Sequence, residues 1–391
     1  MTRTRREQIR LSLLKALAFV TFPPDLSRLD REAKILLVRP DHLGDVLFTT
    51  PALRLLRQTL PKARITYLVG PWSRSVIEGN PNVDEVLTCS FPGFARRPKT
   101  SLIGPYFALR RESRRLRTRE FDLAINLRFD FWWGAMLTYF ADIPHRIGYA
   151  TEETKPFLTL ALPHFEGQHE VLQNQRLAEV AVRLAGADLA SLNADREQAG
   201  LEFHGRKQDE DFADNWLTPV LKGVPFAVIH PGSGSPVKLW RPEGFARVAD
   251  ALIERFGLPV VISGSNEEAS LVAEIRQNMQ EKAVELIGAE LGQLASVLGR
   301  SRVAIGVDSG VMHLASAVST PTVRLYGPVD DATFGPWGEQ GQHVVVKSSM
   351  ECIPCNRLDY RPNELENHPC VRIIEVEQVL AAVEQVLGSR K

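Results

Sequence analysis

Cysteine is scarce in this chain. Four residues in 391, three of them between positions 352 and 370, are too few and too clustered for a disulfide framework, and a reducing compartment is the simpler setting. Net charge is lacking as well. The 47 basic and 47 acidic side chains cancel, which excludes a nucleic-acid binder held by whole-protein charge and leaves charge to act locally. No run of 18 apolar residues occurs, so no segment reads as a bilayer span. The amino-terminal stretch MTRTRREQIRLSLLKALAFVTFPP begins basic and turns apolar, as a signal peptide does, but Lys15 interrupts it and no convincing small-residue cleavage site follows. On a helix, Ile9, Leu13, Leu17 and Val20 form a stripe with Arg3, Arg6, Arg10 and Lys15 largely off it. That is the profile of a basic amphipathic surface helix, packed on its own domain or touching a membrane.

What is present is alternation. With 44% hydrophobic residues over this length, two domains are expected. From residue 35 short apolar β-rich runs alternate with helix-length segments: KILLVRP and a helix to about Leu60, ARITYLVG and a helix from near Trp72, VDEVLTC, then FDLAINLR. The pattern turns irregular and polar through residues 186–215. A second series follows: FAVIHPGSGS, helix 243–256, LPVVISGS, helix 267–280, AVELIG, helix 291–299, VAIGVDSG, helix 311–318 and PTVRLYG. Such alternation predicts an α/β protein of two doubly wound parallel-sheet halves. The expected organisation is an amino-terminal helix in 1–33, domains at 34–205 and 206–371, and a carboxy-terminal helix in 372–391.

Open α/β sheets bind ligands beyond the carboxyl ends of their strands, and the distinctive loops fall there. In VAIGVDSGVMHLASA, Ser309 and Gly310 open a helix whose first N–H groups lack internal partners and favour a diphosphate. Asp308 then suits sugar hydroxyls, and His313, one turn on, suits phosphate; the alternative is that Asp308 or Ser309 merely caps the helix. HPGSGSPVKLW offers Ser233, Gly234 and Lys238 to an anion, although it is neither a Walker loop nor a full dinucleotide fingerprint. Glu267 and Glu268, just past VISGSN, suit a ribose or simply the first turn of a helix. Asp209 to Asp211, the sequence DED, read as a solvated face of a charged helical linker rather than a metal-binding pair. Cys352, Cys355, His368 and Cys370 read as a reduced, loop-ordering cluster ahead of a four-ligand zinc site, because His-x-Cys is tighter than the usual spacing. Arg110, Arg111, Arg114, Arg115, Arg117 and Arg119 form a dense positive segment, suited to a phosphorylated glycolipid or simply a solvated helix face.

ILLVRPDHLGDVLFTTPAL, HPGSGSPVKLW and GVDSGVMHLASAVSTPTVRLYGPVD, with FDLAINLR and HRIGY between them, resemble the heptosyltransferases of lipopolysaccharide core biosynthesis, glycosyltransferase family 9. The resemblance runs from residue 35 to about 375. It implies a GT-B fold, two Rossmann-like halves facing across a cleft, with inverting, metal-independent transfer from an ADP-heptose type donor to a lipid-linked acceptor, no cofactor, and work at the cytoplasmic membrane face. Asp45 matches the family's catalytic base. Ser233, Gly234, Lys238, Asp308, Ser309, Gly310 and His313 match its donor-binding residues, Glu267 or Glu268 its ribose acid, and Ala289 its adenine contact. Gly44, Arg128 and Arg146 fall on the acceptor side. A base at Asp45 would take the acceptor hydroxyl's proton as it attacks the anomeric carbon. A nucleotide-sugar epimerase of the same fold, or a non-catalytic nucleotide-sugar or glycolipid binding module, are the competing readings.

Overall fold

The computed structural model describes residues 11, 12, 14, 29–94, 104–188 and 199–388. The amino-terminal stripe of Ile9, Leu13, Leu17 and Val20 lies outside them. Two compact units emerge: Met1–His42 with Phe48–Glu197, and Leu43–Leu47 with Gln198–Lys391. Each is built on a six-stranded sheet, and every strand pair in both is parallel.

In the first unit the strands are β1 (Lys34–Arg39), β2 (Arg64–Val69), β3 (Glu85–Thr88), β4 (Leu123–Asn126), β5 (His145–Tyr149) and β6 (Leu160–Leu162), in the order β3-β2-β1-β4-β5-β6. In the second they are β7 (Ala227–His230), β8 (Val260–Gly264), β9 (Val284–Ile287), β10 (Val303–Val307), β11 (Thr322–Tyr326) and β12 (His343–Lys347), in the order β9-β8-β7-β10-β11-β12. The two orders are the same walk out from a first strand and back past it, the doubly wound pattern that leaves a crevice where the direction reverses. Central strands such as β1 (KILLVR) and β10 (VAIGV) are near-continuous apolar runs because helices cover both faces. Gly306 in β10 is required by closeness: a Cβ there would lie 2.5 Å from the His230 carbonyl oxygen of β7.

The helices are α1 (Leu43–Leu47), α2 (Thr50–Thr59), α3 (Gly104–Arg117), α4 (Trp132–Phe140), α5 (Glu170–Leu184), α6 (Lys207–Leu221), α7 (Pro242–Phe256), α8 (Ala269–Asn278), α9 (Leu291–Arg300), α10 (Gly310–Ala317) and α11 (Val376–Gly388), with short single turns between some of them. The single helix expected up to Leu60 is two. Pro51 has no N–H for the Leu47 carbonyl, so the chain breaks at Phe48–Thr49 and restarts with proline in its first turn. Near Trp72 only a 3₁₀ turn, Pro71–Ser73, and one α turn, Arg74–Ile77, form. α6 is no linker: it belongs to the second unit, where it packs on α9. Asp209 is accordingly buried, not solvated. Its carboxylate accepts from the Arg206 N–H at 2.9 Å, and a Cβ on Gly292 would come within 2.3 Å of it. Asp211 is exposed and pairs with Lys207 at 2.9 Å.

Candidate active site

The loop after β1 is held by buried charge. Asp41 and Arg39 are each 2% exposed and pair at 2.6 Å. Arg39 also donates to Glu170 at 2.7 Å and to the Leu127 carbonyl at 3.0 Å. Arg128, at the end of FDLAINLR, donates to Asp41 from the other side and to Asp130 at 2.7 Å, with its guanidinium 5.1 Å from the Phe94 ring centre. Burial works against the Arg128 charge, but Asp41 and Asp130 outweigh it and raise its pKa. The Asp41 carbonyl accepts from Trp72 Nε1 and Ser73 Oγ, each at 3.0 Å. Arg146 is anchored differently: it donates to the backbone carbonyls of Phe157, at 2.7 Å, of Pro144, at 3.3 Å, and of Ile143. Its guanidinium clamps β5 to the turn before β6. Burial lowers its pKa.

Asp45 stands half-buried on α1, and those five residues group with the second unit because α1 lies on α10. A Cβ on Gly44 would meet the His313 ring at 2.9 Å, and one on Gly310 would meet Leu43 at 3.0 Å. The bare face of Gly44 is therefore occupied by α10. The sequence-predicted base is thus carried by the element packed against the predicted donor helix.

In the second unit the loops after β7 and β10 meet. Lys238 Nζ donates to Asp308 Oδ2 at 3.0 Å, with the two side chains 13% and 8% exposed, and Ser233 Oγ donates to the Asp308 carbonyl at 3.3 Å. Ser309 occupies the N-cap of α10 with an extended backbone but forms no side-chain cap, and its Oγ is buried without a hydrogen-bond partner. Asp308 bonds Lys238 instead of capping. The capping alternative is therefore not realised at either residue. His313 Nε2 lies 3.9 Å from Asp308 Oδ1.

Glu268 is committed to a cap, accepting from the Ser265 N–H at 2.8 Å, and its carboxylate lies over Gly232, where a Cβ would come within 1.8 Å of it. Glu267 is exposed beside it, and half-buried Ala289 follows β9. Cys352 and Cys355 are exposed thiols and Cys370 a buried one. His368 stacks on Tyr360 at 4.1 Å, and among the described residues no group of three or more His, Cys, Asp or Glu is placed to hold a metal ion. Burial, then Cys355 and Cys352, raise the Cys370 pKa.

Sequence reasoning missed Arg324 on β11. Its guanidinium is fully buried beneath α10, bonded to Thr322, His313, Met312 and Ser316. An arginine in the otherwise apolar run PTVRLYG was the available signal. Arg39, Asp41 and Glu170 were missed too.

Two doubly wound parallel-sheet units define the GT-B architecture. The model of glycosyltransferase family 9 (heptosyltransferase) matches residues 109–362, and the chain belongs to that family. It is 26% identical to lipopolysaccharide heptosyltransferase 3 of Escherichia coli over 354 residues, covering 88% of this chain and 95% of that protein. To lipopolysaccharide heptosyltransferase 1 of Pseudomonas aeruginosa it is 26% identical over 340 residues, covering 85% and 89%. The crystal structure of a family 9 glycosyltransferase from Veillonella parvula superposes with a TM-score of 0.74 at 26% identity, covering 93% of this chain and 99% of that one. The E. coli ADP-heptose lipopolysaccharide heptosyltransferase II shares the fold, with a TM-score of 0.70 at 22% identity and coverage of 91% and 99%.

Proposed function

We propose that this glycosyltransferase moves a heptose, or a similar sugar, from an ADP-activated donor to a lipopolysaccharide-core or other lipid-linked acceptor, with inversion and without a metal ion. The observation that carries the reading is the buried Lys238–Asp308 pair beside the unpartnered Ser309 hydroxyl at the amino terminus of α10. Lys238 and the N–H groups of that helix supply the positive potential a leaving diphosphate needs. Asp308 addresses hydroxyls of the sugar. Glu267, the exposed acid of its pair, takes the ribose, with Ala289 against the adenine.

Asp45, on the helix packed against α10, takes the proton of the attacking hydroxyl. A carboxylate in the first turn of a helix stays ionised, and the hydroxyl becomes acidic as the new bond forms. Arg128 faces the acceptor's negative groups. No described helix is long and apolar enough to cross a membrane. Contact with the bilayer surface falls instead to the exposed Arg110, Arg111, Arg114, Arg115 and Arg117 of α3, with Tyr106 and Phe107, 46% and 66% exposed, at the same helix's start.

The test is to incubate the protein with ADP-heptose and heptose-deficient lipopolysaccharide in excess EDTA. The reading expects sugar transfer with inverted anomeric configuration. Activity abolished by EDTA and restored by magnesium contradicts the mechanism, and release of free sugar without acceptor contradicts the transferase assignment to a lipid-linked acceptor.

A further inference from the structure

Beneath α10 lies a buried polar network in which the bonds made by Arg324 have directions determined by chemistry. An arginine has donors only. Arg324 Nη1 stands 2.9 Å from His313 Nδ1, so that ring nitrogen must accept. Three more donors are fixed as well: Nη2 to the Met312 carbonyl at 2.7 Å and to Ser316 Oγ, and Nε to Thr322 Oγ1 at 3.0 Å. His343 on β12 completes the set, its Nδ1 3.0 Å from Thr322 Oγ1 and its Nε2 3.3 Å from Ser316 Oγ. Thr322 accepts from Arg324 and keeps a proton and a second lone pair, so its bond to His343 Nδ1 can run in either direction. The guanidinium cannot rotate toward another acceptor without abandoning these bonds.

We propose that Arg324 is a positioning residue that holds His313 as the neutral tautomer with its proton on Nε2, so that the ring offers a hydrogen-bond donor, never an acceptor, to a diphosphate seated at Ser309 and Gly310. A second proton on His313 would place an N–H against the arginine's N–H, so the imidazolium form is disfavoured. Other charged and titratable groups around the ring are Asp308, 3.9 Å from Nε2, Lys238 bonded to Asp308, Tyr326 beside Arg324 on β11, His343 on β12, and Asp45 next to Gly44 on α1. Asp308 and Asp45 are the carboxylates among them, and the nearer charge partner of Asp308 is Lys238. The inference rests on the donor site proposed above for the ring's purpose, but not for its tautomer.

The experiment therefore reads the tautomer itself, with no ligand present. Long-range ¹⁵N–¹H spectra of histidine-labelled protein, with the His313 signals assigned by their loss in His313→Gln, should show an unprotonated Nδ1 and a protonated Nε2 at every pH from about 5.5 to 8, below and above the ordinary histidine pKa of about 6.5. Arg324→Met should release the ring, so that His313 titrates within that range and ADP affinity acquires a matching pH dependence. Arg324→Lys, which keeps a donor, should restore much of the wild-type pattern. A wild-type Nδ1–H, or an Arg324→Met spectrum identical to wild type, overturns the proposal. Should Arg324→Met fail to fold, the wild-type spectrum and Arg324→Lys still decide. Failure of ADP to bind while the tautomer holds would instead refute the donor site and leave the lock standing.

Discussion

The two units share a strand order and differ in what their carboxyl-end loops do with charge. In the first, Arg39, Asp41, Arg128, Asp130 and Glu170 address one another, and the loop after β1 is fastened by ion pairs. In the second, Lys238 pairs with Asp308, and buried Arg324 bonds His313, Met312, Ser316 and Thr322 rather than a carboxylate, beside the Ser309 hydroxyl with no partner. Buried charge persists only when compensated. The first unit's loop thus sets charge against charge, whereas the second holds its arginine by neutral acceptors, an arrangement that, in the function proposed above, an anion at Ser309 completes.

The largest expected effect breaks the comparison at its one exchanged element, α1. Asp45→Asn should lower turnover by about two to four powers of ten, the ordinary worth of a general base, with donor affinity unchanged. Initial rates beside ADP titrations check it, and near-wild-type turnover would remove Asp45 from the chemistry.

The self-compensation of the first unit is sharpened by Asp41→Asn. Removing that charge takes away the buried carboxylate that Arg39 and Arg128 share and should cost about 3–5 kcal/mol of stability, as breaking a buried pair does. Urea unfolding measures it, and a change below about 1 kcal/mol would mean the pairs are solvated in solution. A smaller effect, roughly 1–3 kcal/mol from overpacking, is expected for Gly44→Ala, because the new methyl would stand 2.9 Å from the His313 ring. Thermal unfolding together with the His313 signal would show whether α1 gives way or the ring does.

A pH dependence should arise in the second unit. Burial first and Arg324 second push the His343 pKa from 6.5 down to about 3. The unfolded chain therefore takes up this proton first as pH falls. The stability it confers is complete above about 6.5 and is lost progressively between about 6.5 and 3. His343→Gln should flatten that part of a stability-versus-pH curve, and an unchanged slope would assign it elsewhere.

How much of this was legible beforehand depended on whether the signal was local. Strand runs such as VAIGV and the loop after them carry their own pattern, and helices expected at 243–256 and 291–299 form at Pro242–Phe256 and Leu291–Arg300. The break at Phe48 was legible too, in Pro51, but went unused. Pairings distant in sequence were not legible: Arg39 with Glu170, 131 residues on, or Lys238 with Asp308, 70 residues on, exist only because neighbouring elements deliver them. Asp209 misled for the same reason, since nothing in DED announces that Gly292 makes room for it.

The central proposal is that Lys238 and the amino terminus of α10 receive the donor's diphosphate. It is tested most directly by titrating ADP and adenosine into the wild type and Lys238→Met. Loss of one charge-assisted contact should weaken ADP roughly ten- to a hundredfold and leave adenosine nearly unaffected. Equal losses for the two ligands would contradict the account.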